Sequence, residues 1–343
     1  MGRGIVRTVN GWDIDGQVQA LVQKYPQLRD RVDPARVAEQ QRTAVEAADS
    51  GDDFGTSAEG GRGESYVLAQ QSIRTRMHGI DQLTDILTAH SRAESDIVLD
   101  LLGGDGLIDR VMSLLGKDRP LVITCDASPF MVEAAWDQGI GALRQRAEKL
   151  LFHDASVGGV LLAYGTHHIP VADRQRVADE AFRVIEPGGV FVLHDFPTGS
   201  PVDTWFSKVV DVYSATGHDH RHFDREETES YLCSAGFGDV QLLSMDDSFV
   251  VSGPTKEQAE LELGRYLVNM YGLVGLVDEY GPEHGPRRAF ELACDTFRYD
   301  GWEPARREVR VGYDAAQGAW TAAMPREALV GVGRKPTTTG DPA

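Results

Sequence analysis

Cysteine is scarce in this chain: three in 343 residues, Cys125, Cys233 and Cys294, far apart and without a CxxC pair. That count excludes a disulfide framework and a cysteine-ligated zinc site, and it suits a reducing cytoplasm. Long apolar runs are missing as well; none reaches the ~18 residues of a membrane span. Met1–Asn10 holds two arginines but no apolar stretch, so a secretory leader is not expected. Positive charge is in the minority, with 34 Lys+Arg against 53 Asp+Glu and a formal net charge of −19. Nucleic acids and anionic membranes are therefore not expected partners, because both select a basic footprint. No internal repeat is present. The partner expected is a small-molecule substrate, with pairing into a homodimer left open.

What is there suffices for a globular core: 41% hydrophobic and 25% charged residues. Val18–Tyr25 and Pro34–Ala48 read as helices, the second opened by proline at its first turn. Ser50–Ser65 is Gly, Asp and Ser with almost nothing to bury, and reads as a linker or a mobile lid. Tyr66–His90 regains helical apolar spacing. From Asp96 onward, short apolar strands alternate with amphipathic helices: Ile97–Leu101, Leu121–Cys125, a short one near Leu143–Gln145, Gly159–Tyr164 and Val190–His194. That rhythm predicts an α/β fold, a doubly wound Rossmann-like parallel sheet covered on both faces. Beyond Pro197, Val202–Ser214 and Arg225–Ala235 read as helices and Val240–Ser252 as one or two strands. Lys256–Leu276 reads as one long helix and Pro286–Phe297 as another. Val309–Tyr313, Trp320–Ala323 and Ala328–Val332 read as three strands. The expected division is a helical segment over residues 1–95, a core over 96–254, an α+β extension over 255–335 and a disordered tail over 336–343.

The segment that carries chemistry is Val98–Leu107, VLDLLGGDGL, in which a buried strand ends in an acid, crosses a glycine-rich turn and enters a helix. Glycine serves where backbone must turn sharply against a ligand, and a helix amino end offers unpaired N–H groups. Asp126 ends the next strand, 20 residues after Gly106. In a doubly wound sheet that position faces the crevice above the strand ends, where a carboxylate accepts both hydroxyls of a ribose.

With VITCDASPFMVEAA, GVLLAYGTHHIP and RVIEPGGVFVLHDF, this block resembles the class I S-adenosylmethionine-dependent methyltransferases over about Ile97–Phe196. The resemblance implies S-adenosyl-L-methionine as cofactor and the small-molecule branch of the family. Asp100, Gly103, Gly104 and Gly106 would then hold the methionine part and Asp126 the ribose. Phe130 or Met131 would flank the adenine, with Ala127 and Tyr164 completing the set. Two departures stand out. The family has glycine where Leu102 stands, and at the third strand it has Asp followed by a small residue, where this chain has Arg146-Ala147. Arginine has donors only and cannot accept from the adenine amino group.

For the acceptor side, His167 and His168 lie just past the fourth strand at the crevice mouth, candidates for a base or an orienting group. His194, next to Asp195 at the end of the fifth strand, is a further catalytic candidate. GHDHRHF at Gly217–Phe223 alternates His218, His220 and His222, which share one face if the segment is a strand. Two histidines and a carboxylate suit non-haem iron. Family members that methylate 2-oxo acids carry a Gly-His-Asp here with a further histidine on a later strand, near Leu243–Met245 in this chain, where none occurs. A solvated, substrate-facing or oligomer-facing loop is the reading adopted, with His218, His220 and Tyr66 as substrate contacts and no metal. Aromatics such as Tyr266, Tyr271, Phe297 and Trp302 suit an apolar acceptor pocket. The expected protein is a cytoplasmic, S-adenosylmethionine-dependent methyltransferase of a biosynthetic or natural-product tailoring pathway. Carbon is favoured as acceptor because the blocks resemble those of quinone and sterol C-methyltransferases. Metal-assisted methylation of a 2-oxo acid and a cyclase or hydrolase reusing the fold are the alternatives.

Overall fold

The computed structural model describes residues 10–46, 52–91, 95, 97–116, 120–301 and 306–337. Its strands are β1 (Ile97–Leu101), β2 (Leu121–Asp126), β3 (Ala142–Arg144), β4 (Val157–Leu162), β5 (Ile185–Asp195), β6 (Gly238–Asp246), β7 (Phe249–Gly253), β8 (Arg310–Asp314), β9 (Ala319–Met324) and β10 (Glu327–Arg334). β3-β2-β1-β4-β5 pair in parallel, and β10 and β6 extend that sheet to seven strands, with β10 antiparallel to both neighbours. A segment buried on both faces must satisfy its backbone laterally, which is why the continuous apolar runs became the central strands. All residues of β1 and β4 are buried. Side chains alternate along β1: Val98 joins a core with Leu83, Leu87 and Val192, whereas Ile97, Leu99 and Leu101 join Ile14, Leu21 and Val177 on the other face.

Boundaries shifted where local chemistry outweighed apolar spacing. The first helix begins at Ile14 rather than Val18, because Asp13 caps it by accepting the Gly16 N–H at 2.9 Å. The expected helix over Tyr66–His90 is two, Gly63–Gln70 and Met77–His90, joined by the 3₁₀ turn Ile73–Arg76. The stretch Lys256–Leu276 divides into Lys256–Tyr271 and Val274–Tyr280 at Gly272, whose φ of 60° closes the first helix in the left-handed conformation. Residues 52–65 are packed rather than a bare linker: Gly63 N donates to Gly55 O at 2.9 Å, and the Arg62 guanidinium lies 4.2 Å over the Phe54 ring. Ser50 and Gly51, at the start of the expected lid, Trp302, and 338–343 of the expected tail lie outside the described residues.

The C-terminal strands divide between two sheets. β8 and β9 form the expected hairpin and pair with β7, but β10, placed by the sequence in the extension, lies in the main sheet between β5 and β6. Its central residues are fully buried, as an interior strand requires, and period-two patterning does not say which sheet a strand joins. Arg326 enters β10 from the turn and is locked to Asp247. Its Nε donates to the Asp247 carbonyl at 2.9 Å, the Asp247 N–H returns a bond to the Arg326 carbonyl at 2.9 Å, and the two side chains form an ion pair. Tyr164 adds its hydroxyl to Asp247 at 3.0 Å, and the guanidinium stacks 3.5 Å over Phe249. Both charges are buried, so removing one leaves the other uncompensated. Arg326→Met should lower stability by about 3–5 kcal/mol in urea unfolding. The double variant Arg326→Met/Asp247→Leu should recover much of that loss. A single variant within ~0.5 kcal/mol of the parent would show that the pair is not what fixes this junction.

Candidate active site

The crevice lies outside the carboxyl ends of β1, β2 and β4, where parallel strands leave room between diverging connections. Leu102 and Gly104 follow β1 in left-handed conformations, with φ of 59° and 57°. Gly103 admits no side chain, since a Cβ there would stand 2.7 Å from Asp100 Oδ2. The glycine expected at 102 is thus replaced by a leucine holding the glycine-like conformation, at a cost of roughly 1–2 kcal/mol. Asp126 binds this turn to the next helix: Oδ2 accepts the Gly104 N–H at 2.9 Å and Oδ1 the Ser128 N–H at 2.9 Å. Burial lifts the Asp126 carboxyl to about 6, against the lowering effect of those two N–H groups and with help from the nearby Asp52 charge. Asp100 is held well above the ordinary carboxylate range, first by burial and then by Asp126 and Asp109. Both of its oxygens are buried without a partner.

A cavity of about 300 Å³ opens beside this turn. Gly104, Asp126, Ala127, Met131, Arg146 and Ala147 line it together with Tyr66, Tyr164, His168 and His220, and the Tyr66 ring stands close to Gly104, 3.5 Å from where a Cβ there would lie. Asp100, Gly103 and Gly106 underlie the turn and are not among the wall residues. Phe130 packs at Gly63, whose Cβ would come within 2.6 Å of its ring, and Met131 holds the wall position instead. His194 lies behind Tyr164, ring centroids 4.5 Å apart, with its Nε2 3.9 Å from Asp247 Oδ2. Burial pushes its imidazole down to about 4. Asp52, Asp53 and Phe54 were missed as wall residues. Phe54, set edge-on to Tyr66 at 5.2 Å and to His168 at 5.5 Å, is the lone aromatic of its polar stretch, the one signal that could have marked it.

The histidines converge. Gly217–His222 is not a strand, and its exposure alternates: Asp219 and Arg221 are exposed, as a solvated loop requires, whereas His218 and His222 are buried and His220 is half-buried, and only Phe223 forms a bridge, to Pro197. The cause is Asp195 at the end of β5. Its carboxylate accepts His167 Nδ1 at 2.9 Å, His222 Nδ1 at 3.1 Å, the His167 N–H at 2.7 Å and the Phe196 N–H at 2.6 Å. Phe206, on a π-turn (Phe206–Val210), wedges its ring 4.1 Å from His218 and 5.1 Å from His167. Burial alone would raise Asp195, but the two imidazoles outweigh it and hold the carboxyl well below its usual range. Burial also lowers His167 and His220, takes His218 down to about 2 and pushes His168 well below its ordinary value. These rings are neutral at neutral pH.

Two unpartnered carboxylate oxygens, a cradle that excludes a Cβ and an acid at the end of β2 together fit an adenosyl ligand with a cationic end. Residues 99–193 match the family model described as a methyltransferase domain. The ubiquinone/menaquinone biosynthesis C-methyltransferase UbiE of Proteus mirabilis is 26% identical over 181 residues, 45% of this chain and 70% of that protein. The demethylmenaquinone methyltransferase of Clavibacter sepedonicus is 27% identical over 189 residues, 48% of this chain and 75% of that protein. Among solved structures, phosphoethanolamine N-methyltransferase 2 of Haemonchus contortus, in complex with S-adenosyl-L-methionine, aligns with 13% identity and a TM-score of 0.46. That alignment covers 78% of this chain and 57% of the other.

Hydroxyl donors to Asp126 favour its ionised form, so ligand binding should release protons near pH 6, and affinity should fall as pH drops below about 6. Calorimetry with S-adenosylhomocysteine between pH 5 and 8 checks this. Asp126→Ala should weaken binding by about 1.5–3 kcal/mol, and Asp126→Asn should flatten the pH dependence. An Asp126→Asn profile that still falls below pH 6 would assign the titration to another group.

Proposed function

The chain is a class I S-adenosylmethionine-dependent methyltransferase, and we propose that it methylates a small organic acceptor, at carbon rather than at oxygen or nitrogen. One observation carries the reading. One cavity is lined both by the turn residues Gly104 and Asp126 and by Tyr66, Phe54, His168 and His220, so a methyl donor and an acceptor are held against the same walls. Carbon is favoured because the curated relatives of Proteus and Legionella bear the name C-methyltransferase. A tailoring role in a biosynthetic pathway follows from the small-molecule type of the resemblance.

Bound in the crevice, S-adenosylmethionine supplies an electrophilic methyl group on a cationic sulfur. Everything else falls to the chain. In this reading Asp126 takes the ribose hydroxyls, the turn 102–104 holds the amino-acid end, and Met131 and Ala147 flank the base. Arg146, exposed and paired with Glu148, leaves the adenine amino group to other acceptors. Tyr66 and Phe54 exclude water from the acceptor end. Holding two reactants in contact contributes roughly 7–11 kcal/mol of barrier lowering, so positioning is the main task. His168 is the histidine of the 167–168 pair that reaches the cavity wall, and it meets the acceptor. His167, bound to Asp195, sets the orientation of that turn.

Among the described residues no helix is long and apolar enough to cross a membrane. The three cysteines are free, in keeping with a cytoplasmic enzyme. The test is turnover with a panel of small phenolic, quinol and enolisable acceptors, read by mass spectrometry as S-adenosylhomocysteine and a singly methylated product. His168→Ala should lower turnover by about 10²-fold or more while leaving S-adenosylhomocysteine affinity unchanged. Binding of the cofactor without turnover on any acceptor would point to a fold reused for another reaction.

A further inference from the structure

The reading above leaves unexplained why several imidazoles are buried together, each with a ring nitrogen left unbonded. His167 Nε2, His218 Nε2 and His222 Nε2 are all buried without a partner. A buried polar atom left unmade costs about 1–3 kcal/mol, and several in one cluster signal a missing ligand. The rings gather tightly: His167 lies 4.6 Å from His168 and 5.0 Å from His218 between centroids. One ring nitrogen from each of His167, His168 and His218 lies within 4.8 Å of the others. His167 Nδ1 is taken by Asp195, which fixes the tautomer and leaves Nε2 as the free lone pair. A carboxylate behind a histidine in this way is the usual outer support of a metal-bound imidazole.

We infer that His167, His168 and His218 form a binding site for a divalent transition-metal ion, with Asp195 orienting His167 from behind. Asp195 itself is a poor ligand here, because its oxygens already accept two backbone N–H groups and two imidazoles. The alternative set of His167, Asp195 and His222 is wholly buried and offers no side to an acceptor. The chosen set reaches the cavity through His168. Three neutral imidazoles without thiolate suit zinc, iron(II), cobalt or nickel and leave coordination positions open. An ion there would take an oxygen of the acceptor, so the substrate class narrows to molecules with a carbonyl, enol or phenol oxygen beside the methylated atom. This last step rests on the proposed function; the metal site does not. The sequence set a metal aside by seeking the further ligand near Leu243–Met245, whereas the fold supplies it from the turn after β4.

The test uses the full chain without a polyhistidine tag, stripped by chelator and titrated with cobalt(II). Binding is followed by visible absorption and, with zinc(II), by calorimetry. Expected is a single ion per chain, with affinity lowered by at least about tenfold in His167→Ala and in His218→Asn, and by about 10–100-fold in Asp195→Asn. His78→Ala, on a histidine outside the cluster, should leave it unchanged. Near-ultraviolet circular dichroism and retained S-adenosylhomocysteine binding identify the variants that fold. Stripped protein that binds S-adenosylhomocysteine yet takes up neither metal at millimolar concentration overturns the inference. So does metal binding that survives His167→Ala and His218→Asn but is lost in Asp53→Asn and His220→Ala, the second set at the cavity mouth. Metal binding without any S-adenosylhomocysteine binding would instead refute the crevice reading and leave the ion site standing.

Discussion

A buried carboxylate at the end of β5 organises the acceptor half of this molecule. Asp195 is 1% exposed, and a charge so far from water survives only when every lone pair is used. Its four donors come from three places in the chain: the turn after β4, its own strand end, and the loop carrying His222. The loop has no helix or strand of its own before the bridge at Phe223. Its path is set by where an imidazole can reach that carboxylate. With the loop drawn in, Phe206 closes over the rings, and the π-turn gives the extra residue needed to aim it.

The crevice itself is built on backbone strain. Leu102 after β1 and Tyr164 after β4 both hold left-handed conformations, with φ of 59° and 65°. Such conformations persist only where the surroundings over-determine them. Tyr164 is fixed from all sides: its hydroxyl is bonded to Asp247, the Arg76 guanidinium lies 3.7 Å over its ring, and His194 packs beside it. Asp247 is in turn held by Arg326 at the start of β10. The C-terminal strand therefore does more than widen the sheet, since it supports the side chain that walls the cavity.

This also explains what was legible in the sequence. The parallel strands and the acid at position 126 were readable because both follow from local pattern: an apolar run and a charged residue at its end. β10 reads as a strand, but its partner depends on Arg326 and Asp247 meeting across 79 residues, which no local window contains. In the histidine-rich loop the alternation was readable but the burial of two rings was not. Judged by polarity the segment belongs in water, where Asp219 and Arg221 do lie, and only the hidden charge of Asp195 draws His222 inside. Phe54 was overlooked because one aromatic in a run of Gly, Asp and Ser carries little weight until Tyr66 and His168 stand beside it.

The cavity is lined by acids and neutral imidazoles together. Asp126 and Asp52 line it, with Asp100 buried under the turn, in a chain of net charge −19; the imidazoles of His168 and His220 are kept neutral by burial. Burial first, and the neighbouring acids after it, make these carboxyls reluctant to ionise, as the raised values of Asp100 and Asp126 record. A cation entering the cavity reverses the balance, drawing the protons off and being held by the charges it creates. Once the methyl group has left, the sulfur is a neutral thioether and the sulfonium's share of that attraction is gone. On the proposed reading, the same acids that gather the positively charged donor thus loosen their hold on the spent one.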